Sequence, residues 1–381
     1  MKQRLLFITH HKLNENNGGS NASKGFLHCF AALYDDCAVL APEFEGPATP
    51  YVPSNIKMYH PHDTRSKVQK LVDMYRGVIS PLYDAVHQHL LKHHYDVIVV
   101  DHSFSGAGVV KYIKSTGARL ITIHHNVEFD YLRDNSKERP LFYRYPFLYY
   151  SRKAERDCLL YSDLNLTVTE RDAAVFRSWY PNIRINSWGI FEYQFLPDKQ
   201  FVSKSKGQVF VITGSLYFEQ SIHPIIEFVQ RYWPLVLQHC QQAELLIAGR
   251  HPSGKLHEVC SKTEQITIIP DPDDMAVIVQ KADYYICPIH AGSGLKLRIF
   301  DGLKQGKPIL CHDISAAGYE ELAANGYLFS YHDETTFSLA LRQLTALQIK
   351  PEEVYQTFRN AFSLQTGIQR LEKIIKPLRL Y

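Results

Sequence analysis

DYYICPIHAGSGLKLRIFDGLKQGKPIL, residues 283–310, is the stretch from which the fold can be read. It opens with an apolar run and passes through the small residues Gly292, Ser293 and Gly294. Lys296 and Arg298 then precede Asp301, the pattern breaks at Gly306 and Pro308, and an apolar PIL follows. Continuous rather than alternating apolarity marks strands buried on both faces, as in a parallel sheet covered by helices. The residues between the two runs are then a loop leading into a helix. In a doubly wound sheet such a loop lies at the carboxyl edge, where ligands bind. Glycines let the backbone approach a ligand closely, and N–H groups at a helix start attract phosphate oxygens. Lys296 and Arg298 add formal charge, and Asp301, about one turn in, has a carboxylate for two ribose hydroxyls. Amides and cations for phosphates and an acid for the sugar suit a nucleoside diphosphate. The alternative is that Asp301 complements the helix dipole or pairs with Arg298 or Lys304.

Working outward, the same alternation recurs along the chain. Strand candidates are 4–9, 96–100, 119–123, 164–168, 208–213, 244–249, 266–270, 283–288 and 308–310; helical runs are 20–33, 66–92, 142–160, 221–240 and 273–281. Repeated βα units predict an α/β architecture. The pattern pauses once, at the polar LPDKQFVSKSKGQ of 196–208. This predicts an N-terminal domain over 1–195, a linker over 196–207, a second α/β domain over 208–350, and C-terminal helices over 351–381 that close back over either domain. A length of 381 residues agrees with two cores better than one.

Composition narrows the function. A net charge of +3 is too small a basic excess to argue nucleic-acid binding. Seven cysteines without a CxxC fit free thiols in a reducing compartment, and the apolar run Leu5–Ile8 is too short for a signal peptide. No 18-residue apolar run exists, so a cytoplasmic protein is the expectation. The loop is not a P-loop, and no first strand leads into GxGxxG, which disfavours a nicotinamide enzyme.

The order of motifs resembles that of GT-B glycosyltransferases, most closely the retaining family-four group. Gly-Leu-Lys-x-Arg, an acid and Gly-x-Pro-Ile resemble its donor site. NNGGS (16–20) resembles its first glycine turn, HHNVEF (124–129) its His-Asn-x-Glu segment, and 161–176 its strand–Thr–Glu–helix stretch. NSWGIFEYQF (186–195), GSLYFEQSIHPIIEF (214–228) and ELLIAGRHP (244–252) follow in the family's order. The likeness covers about residues 4–325. It implies a GT-B fold, two Rossmann-like domains with a cleft between them, and transfer of a sugar from a nucleotide-diphosphate sugar to a glycan or lipid-linked hydroxyl. It also implies retention of configuration and no metal or cofactor. The family's two glutamates, eight residues apart, correspond here to Ser293 and Asp301.

By this resemblance His125, Lys296 and Arg298 are the catalytic candidates. Lys296 and Arg298 would stabilise the leaving diphosphate, and His125 would orient the acceptor hydroxyl or contact the donor sugar, with His124 as its alternative. Gly18, Gly19, Ser20, Gly214, Ser215, Arg250, Gly292, Ser293, Gly294, Leu295 and Asp301 would bind the donor. The histidine pairs 10–11 and 93–94 lack the acid and spacing of a zinc site and read as surface or loop residues. Residues 131–156 hold seven aromatics and seven Lys or Arg against three acids. That mixture suits either a membrane interface, with a protein peripheral to the inner face, or an ordinary helix with buried aromatics. Two other functions remain open: a sugar-nucleotide epimerase of the same fold, and a non-catalytic nucleotide-sugar-binding protein.

Overall fold

The computed structural model describes residues 3–48, 51–60, 65–76, 78, 80–136, 140–199, 201, 208–217, 219–292 and 294–378. The chain forms two compact units. The first comprises Met1–Phe195 and Phe362–Tyr381, with Gly292–Leu295 counted to it; the second comprises Leu196–Ala291 and Lys296–Ala361. The passage from first to second falls at Phe195–Leu196. Of the stretch read as a linker, residues 200 and 202–207 lie outside the described residues.

The first unit runs β1 (Arg4–Thr9), α1 (Gly18–Ala31), β2 (Asp36–Leu40), β3 (Lys57–Tyr59), α2 (Lys67–Tyr75), α3 (Tyr83–Leu90) and β4 (Val97–Asp101). Then come α4 (Ser103–Gly106), α5 (Val110–Ser115), β5 (Arg119–His124), α6 (Glu128–Asn135), α7 (Leu141–Tyr161), β6 (Leu164–Thr167), α8 (Glu170–Trp179) and β7 (Ile185–Ser187). Its seven strands are ordered β3-β2-β1-β4-β5-β6-β7. Every pairing is parallel, with Leu6 opposite Ala38 on one side and Ile98 on the other. Leu6, Ile8, Ile98 and Val100 face Val86, Ile113 and Cys158 in one apolar layer. That double-sided burial is what the unbroken apolar runs encode.

The second unit runs β8 (Val209–Ser215), α9 (Glu219–Glu227), a π-helical turn (Phe228–Tyr232), α10 (Trp233–His239), β9 (Glu244–Arg250), α11 (Gly254–Ser261), β10 (Ile266–Pro270), α12 (Met275–Lys281) and β11 (Tyr284–Cys287). It continues through α13 (Ile299–Leu303), β12 (Ile309–His312), α14 (Asp313–Ala316), α15 (Glu320–Ala324), β13 (Leu328–Tyr331), α16 (Glu334–Ala346) and α17 (Pro351–Phe362). The sheet order is β10-β9-β8-β11-β12-β13, again parallel throughout. Phe210, Ile212, Leu245 and Ile247 pack with Ile225, Phe228 and Trp233. The expected single helix over 221–240 is interrupted: Pro224 and Pro234 each lack a backbone donor, and the turns between them widen to π geometry.

The tail divides. In α17, Tyr355 donates to the Pro197 carbonyl within the second unit. The last helix, α18 (Leu364–Ile375), belongs to the first unit: the Trp188 indole donates to the Gly367 carbonyl at 3.0 Å, and Leu371 and Ile375 are fully buried.

Both sheets reverse strand order once, between β1 and β4 and between β8 and β11. Each reversal opens a crevice at the strands' carboxyl ends, the place such folds bind ligands.

Candidate active site

The crevice of the first unit collects titratable side chains. β1 ends at Thr9 and delivers His10 and His11, and β4 ends in Asp101 and His102. β5 ends at His124, with His125 next. His125 Nε2 lies 2.6 Å from Asp101 Oδ1, and Ser23 of α1 donates to the other carboxylate oxygen at 2.5 Å. Burial alone would raise the Asp101 carboxyl, but His125 and Ser23 together hold it well below the usual carboxylate range. An ionised acceptor at that distance requires the proton on His125 Nε2, leaving Nδ1 as the ring's acceptor when the imidazole is neutral.

A second pair lies alongside. His102 Nε2 is 3.2 Å from Glu128 Oε2. Burial would lower the imidazole, but Glu128 outweighs it and His102 is raised; Glu128 is lowered by the same partner against its own burial. His102 has φ +78, a conformation that costs a side-chain-bearing residue energy and persists where the surroundings impose it. Behind this pair, Glu155 of α7 accepts the Glu128 N–H at 2.6 Å, and burial pushes its carboxyl up to about 8.

His10 and His11, read as surface or loop residues, lie in the loop after β1 but are half-buried there among other imidazoles. Their rings lie 4.2 Å apart, with His11 5.6 Å from the His125 ring and His10 4.9 Å from that of His102. Burial among neighbouring imidazoles lowers His11 to about 3. Its Nε2 is buried without a hydrogen-bond partner in the protein. The ring lies across Gly19, where a Cβ would approach Cε1 to 2.5 Å, so any side chain there would force the ring to shift. Gly18 and Gly19 head α1, whose N-cap Asn17 accepts the Ser20 N–H. The first N–H groups of that helix have no intrahelical acceptor. Ser20 is fully buried, its hydroxyl also unpartnered in the protein. His124, the alternative to His125, is fully buried against Phe176 and bonded to Asn165, and belongs to the core. The pair His93–His94 does lie at the surface, half-buried and exposed respectively.

The second crevice is made of backbone and fixed cations. At the end of β8, Gly214 has φ +148, and a Cβ there would lie 2.8 Å from Arg298 Nη1. The Arg298 fork donates to the Thr213 carbonyl and, at 2.9 Å, to Ser221 of α9. Thr213 Oγ1 donates to Asp301 Oδ2 at 2.8 Å and also contacts the Tyr285 hydroxyl, which donates to the Arg298 carbonyl. Arg298 and Asp301 are thereby tied to both strands of the switch point. The loop itself differs from expectation. It is irregular through Lys296, and the helix begins only at Ile299, so Asp301 is the third residue of a five-residue helix. Gly292 and Gly294 have positive φ, and Leu295 and Lys296 are half-buried. The Lys296 carbonyl accepts from Tyr319. Ser293 lies outside the described residues. Ser215 Oγ is buried without a protein partner, and Arg250 is exposed at the end of β9.

Asp101, His102, Glu155, Thr213 and Tyr285 escaped the sequence reading. Asp101 carried a usable signal, an acid closing an apolar strand; the others are assembled only by the sheet order.

Comparison with known proteins bears on the fold. The whole chain has the GT-B fold. It superimposes on sucrose-phosphate synthase of Thermosynechococcus elongatus with a TM-score of 0.72 at 12% identity, covering 99% of each chain. HepE of Anabaena in complex with UDP and glucose gives 0.65 at 13%, covering 98% of this chain and 99% of that one. The catalytic domain of starch synthase IV from Arabidopsis thaliana bound to ADP and acarbose gives 0.66 at 10%, covering 99% of each. Residues 207–346, which contain every strand of the second sheet, match the family described as Glycosyl transferases group 1. No curated protein matches the sequence significantly.

Proposed function

We propose that this chain is a glycosyltransferase that moves a sugar from a nucleotide-diphosphate sugar to a hydroxyl of a glycan or lipid-linked acceptor. The observation that carries the reading is the Gly214–Arg298–Thr213–Asp301 lock at the β8/β11 switch point, inside the segment that matches the group 1 family. Cleaving the sugar–phosphate bond puts negative charge on the leaving diphosphate. Arg298, already oriented, and Lys296 supply fixed positive charge there, which stabilises the transition state without reorganisation. Asp301, held by Thr213, offers the ribose a carboxylate. In the first unit, Asp101 fixes His125 with Nδ1 as acceptor, so His125 orients a hydroxyl rather than attacking. Retention is the outcome that the resemblance to the family-four group implies, and it is proposed here as same-face attack. No step calls for a metal.

The acceptor reading rests on a surface. Leu141, Tyr145 and Tyr149, four residues apart on α7, are 62%, 67% and 65% exposed. Val68, Leu71, Val72 and Tyr75 of α2 are exposed too, and Tyr75 meets Tyr150 of α7 edge-on. No helix among the described residues is long and apolar enough to cross a membrane. A lipid-linked acceptor presented at a membrane face suits such a patch.

Isothermal titration of UDP, GDP, ADP, CMP and NAD into wild type and Lys296→Ala tests the reading, followed by hydrolysis of the matching nucleotide sugars. One nucleoside diphosphate should bind, and more weakly in the variant. Binding of none would overturn the proposal, and isomerisation of the nucleotide sugar without acceptor would make the protein an epimerase.

A further inference from the structure

On the face of the second unit where α9 meets the β11 loop, His223, Glu227 and His290 bring three ligand atoms within 4.8 Å of one another. Among the described residues no other histidine, cysteine and carboxylate group does so. His223 and Glu227 stand four apart on α9, hence on one face of the helix. His290 comes from the loop after β11. Its Nε2 lies 3.0 Å from Glu227 Oε2, yet this buried nitrogen makes no hydrogen bond of acceptable geometry with any protein group. This spacing, that of an ion pair, also allows both atoms to bind one cation at about 2.0–2.2 Å each. The other carboxylate oxygen, Oε1, accepts from Arg231 at 2.7 Å, which fixes Glu227 to offer one oxygen.

We propose that His223, Glu227 and His290 form a binding site for a borderline divalent transition ion of the zinc type. Two imidazoles and one carboxylate suit such an ion, whereas magnesium and calcium require oxygen ligands. Three protein ligands leave a coordination position open. Glu227 and His290 also line a cavity of about 190 Å³, with His312, Tyr331 and His332, which gives that position room for water or a small anion. The ion would pin α9, whose Ser221 holds Arg298, to the loop that leads on to Lys296. It lies outside the transfer chemistry and acts by positioning.

The test is titration of Zn²⁺ into the full chain with any affinity tag removed, and of Co²⁺ with its visible absorption recorded. Wild type should take up one equivalent more than His223→Ala or His290→Ala and show a tetrahedral or five-coordinate Co²⁺ band that both variants lack. Glu227→Gln should weaken binding by at least about tenfold. Zn²⁺ should raise the melting temperature of wild type and not of His223→Ala, whose exposed side chain makes unfolding without metal an unnecessary explanation. The same stoichiometry, affinity and spectrum in all four proteins would overturn the site, because the remaining histidines and cysteines would then account for the uptake.

Discussion

The two switch-point crevices are built at the same place in two like sheets and hold opposite kinds of chemistry. The first gathers the imidazoles of His10, His11, His102 and His125 around the carboxylates of Asp101 and Glu128. The second offers Arg298, always charged, together with glycine backbone and a carboxylate tied to a threonine. On the proposed function, one fold separates proton and hydroxyl handling from diphosphate stabilisation by assigning each to its own sheet. The lesson is that the strand order selects where a site forms, and the strand-end residues select what it does.

Breaking the second crevice should cost most. Arg298→Ala removes a fixed charge together with its contacts to Thr213 of β8 and Ser221 of α9, and we expect transfer to fall about a hundred- to a thousandfold. Arg298→Lys, which keeps charge but loses the fork, should fall between the two. Steady-state rates with donor and acceptor varied separately check this; an unimpaired alanine variant would remove Arg298 from the site. In the first crevice, Asp101→Asn should lower kcat on the order of a hundredfold with donor KM nearly unchanged, since the tautomer and not donor contact is lost. A rise in KM at constant kcat would make Asp101 part of binding instead.

Stability sharpens the contrast further. Gly19→Ala places a methyl against His11, itself enclosed by three other imidazoles, and should cost about 1–3 kcal/mol by urea unfolding. Glu155 tests the pH-sensitive character of the first crevice. Its folded carboxyl keeps a proton up to about 8, while the unfolded chain loses it near the ordinary glutamate value. Its contribution is therefore intact below that ordinary value and lost as pH rises towards 8. Wild type should lose melting temperature between pH 5 and pH 8 relative to Glu155→Gln; parallel profiles would refute the assignment. The smallest effect is expected at the surface: Ser at Leu141, Tyr145 and Tyr149 should reduce flotation with anionic vesicles at low salt while leaving soluble-acceptor turnover unchanged. Equal flotation would separate α7 from any membrane role.

How much of this was legible follows from where the information resides. Strands such as 4–9, 96–100 and 244–249 announce themselves because burial on both faces demands an unbroken apolar run. β3, β7 and β13 are short or mixed in polarity, and the run-based reading passed over them; it also passed over β2, although Cys37–Leu40 is an unbroken buried run. The loop after β11 was legible because glycine, cation and acid sit side by side in the chain. The histidine cluster was not: it joins residues 10, 11, 102 and 125, and only the β1-β4-β5 adjacency makes them neighbours. His10–His11 do lie in a loop, as one half of their reading had it, but that the loop faces the other histidines was not visible in the chain.

The helix α18 carries a consequence for how the protein is made. Trp188 bonds to Gly367, the Glu192 N–H to the Phe362 carbonyl, and Leu371 and Ile375 fill the first unit's interior. A ribosome that has finished residues 1–195 has therefore not yet supplied everything their core requires. The second unit, almost contiguous in the chain, can close while synthesis continues, and the first must wait for residue 375 with Trp188 and Phe191 uncovered. Nascent chains should accordingly show protease resistance in the later domain before the earlier one, a reversal of the usual N-to-C order of maturation.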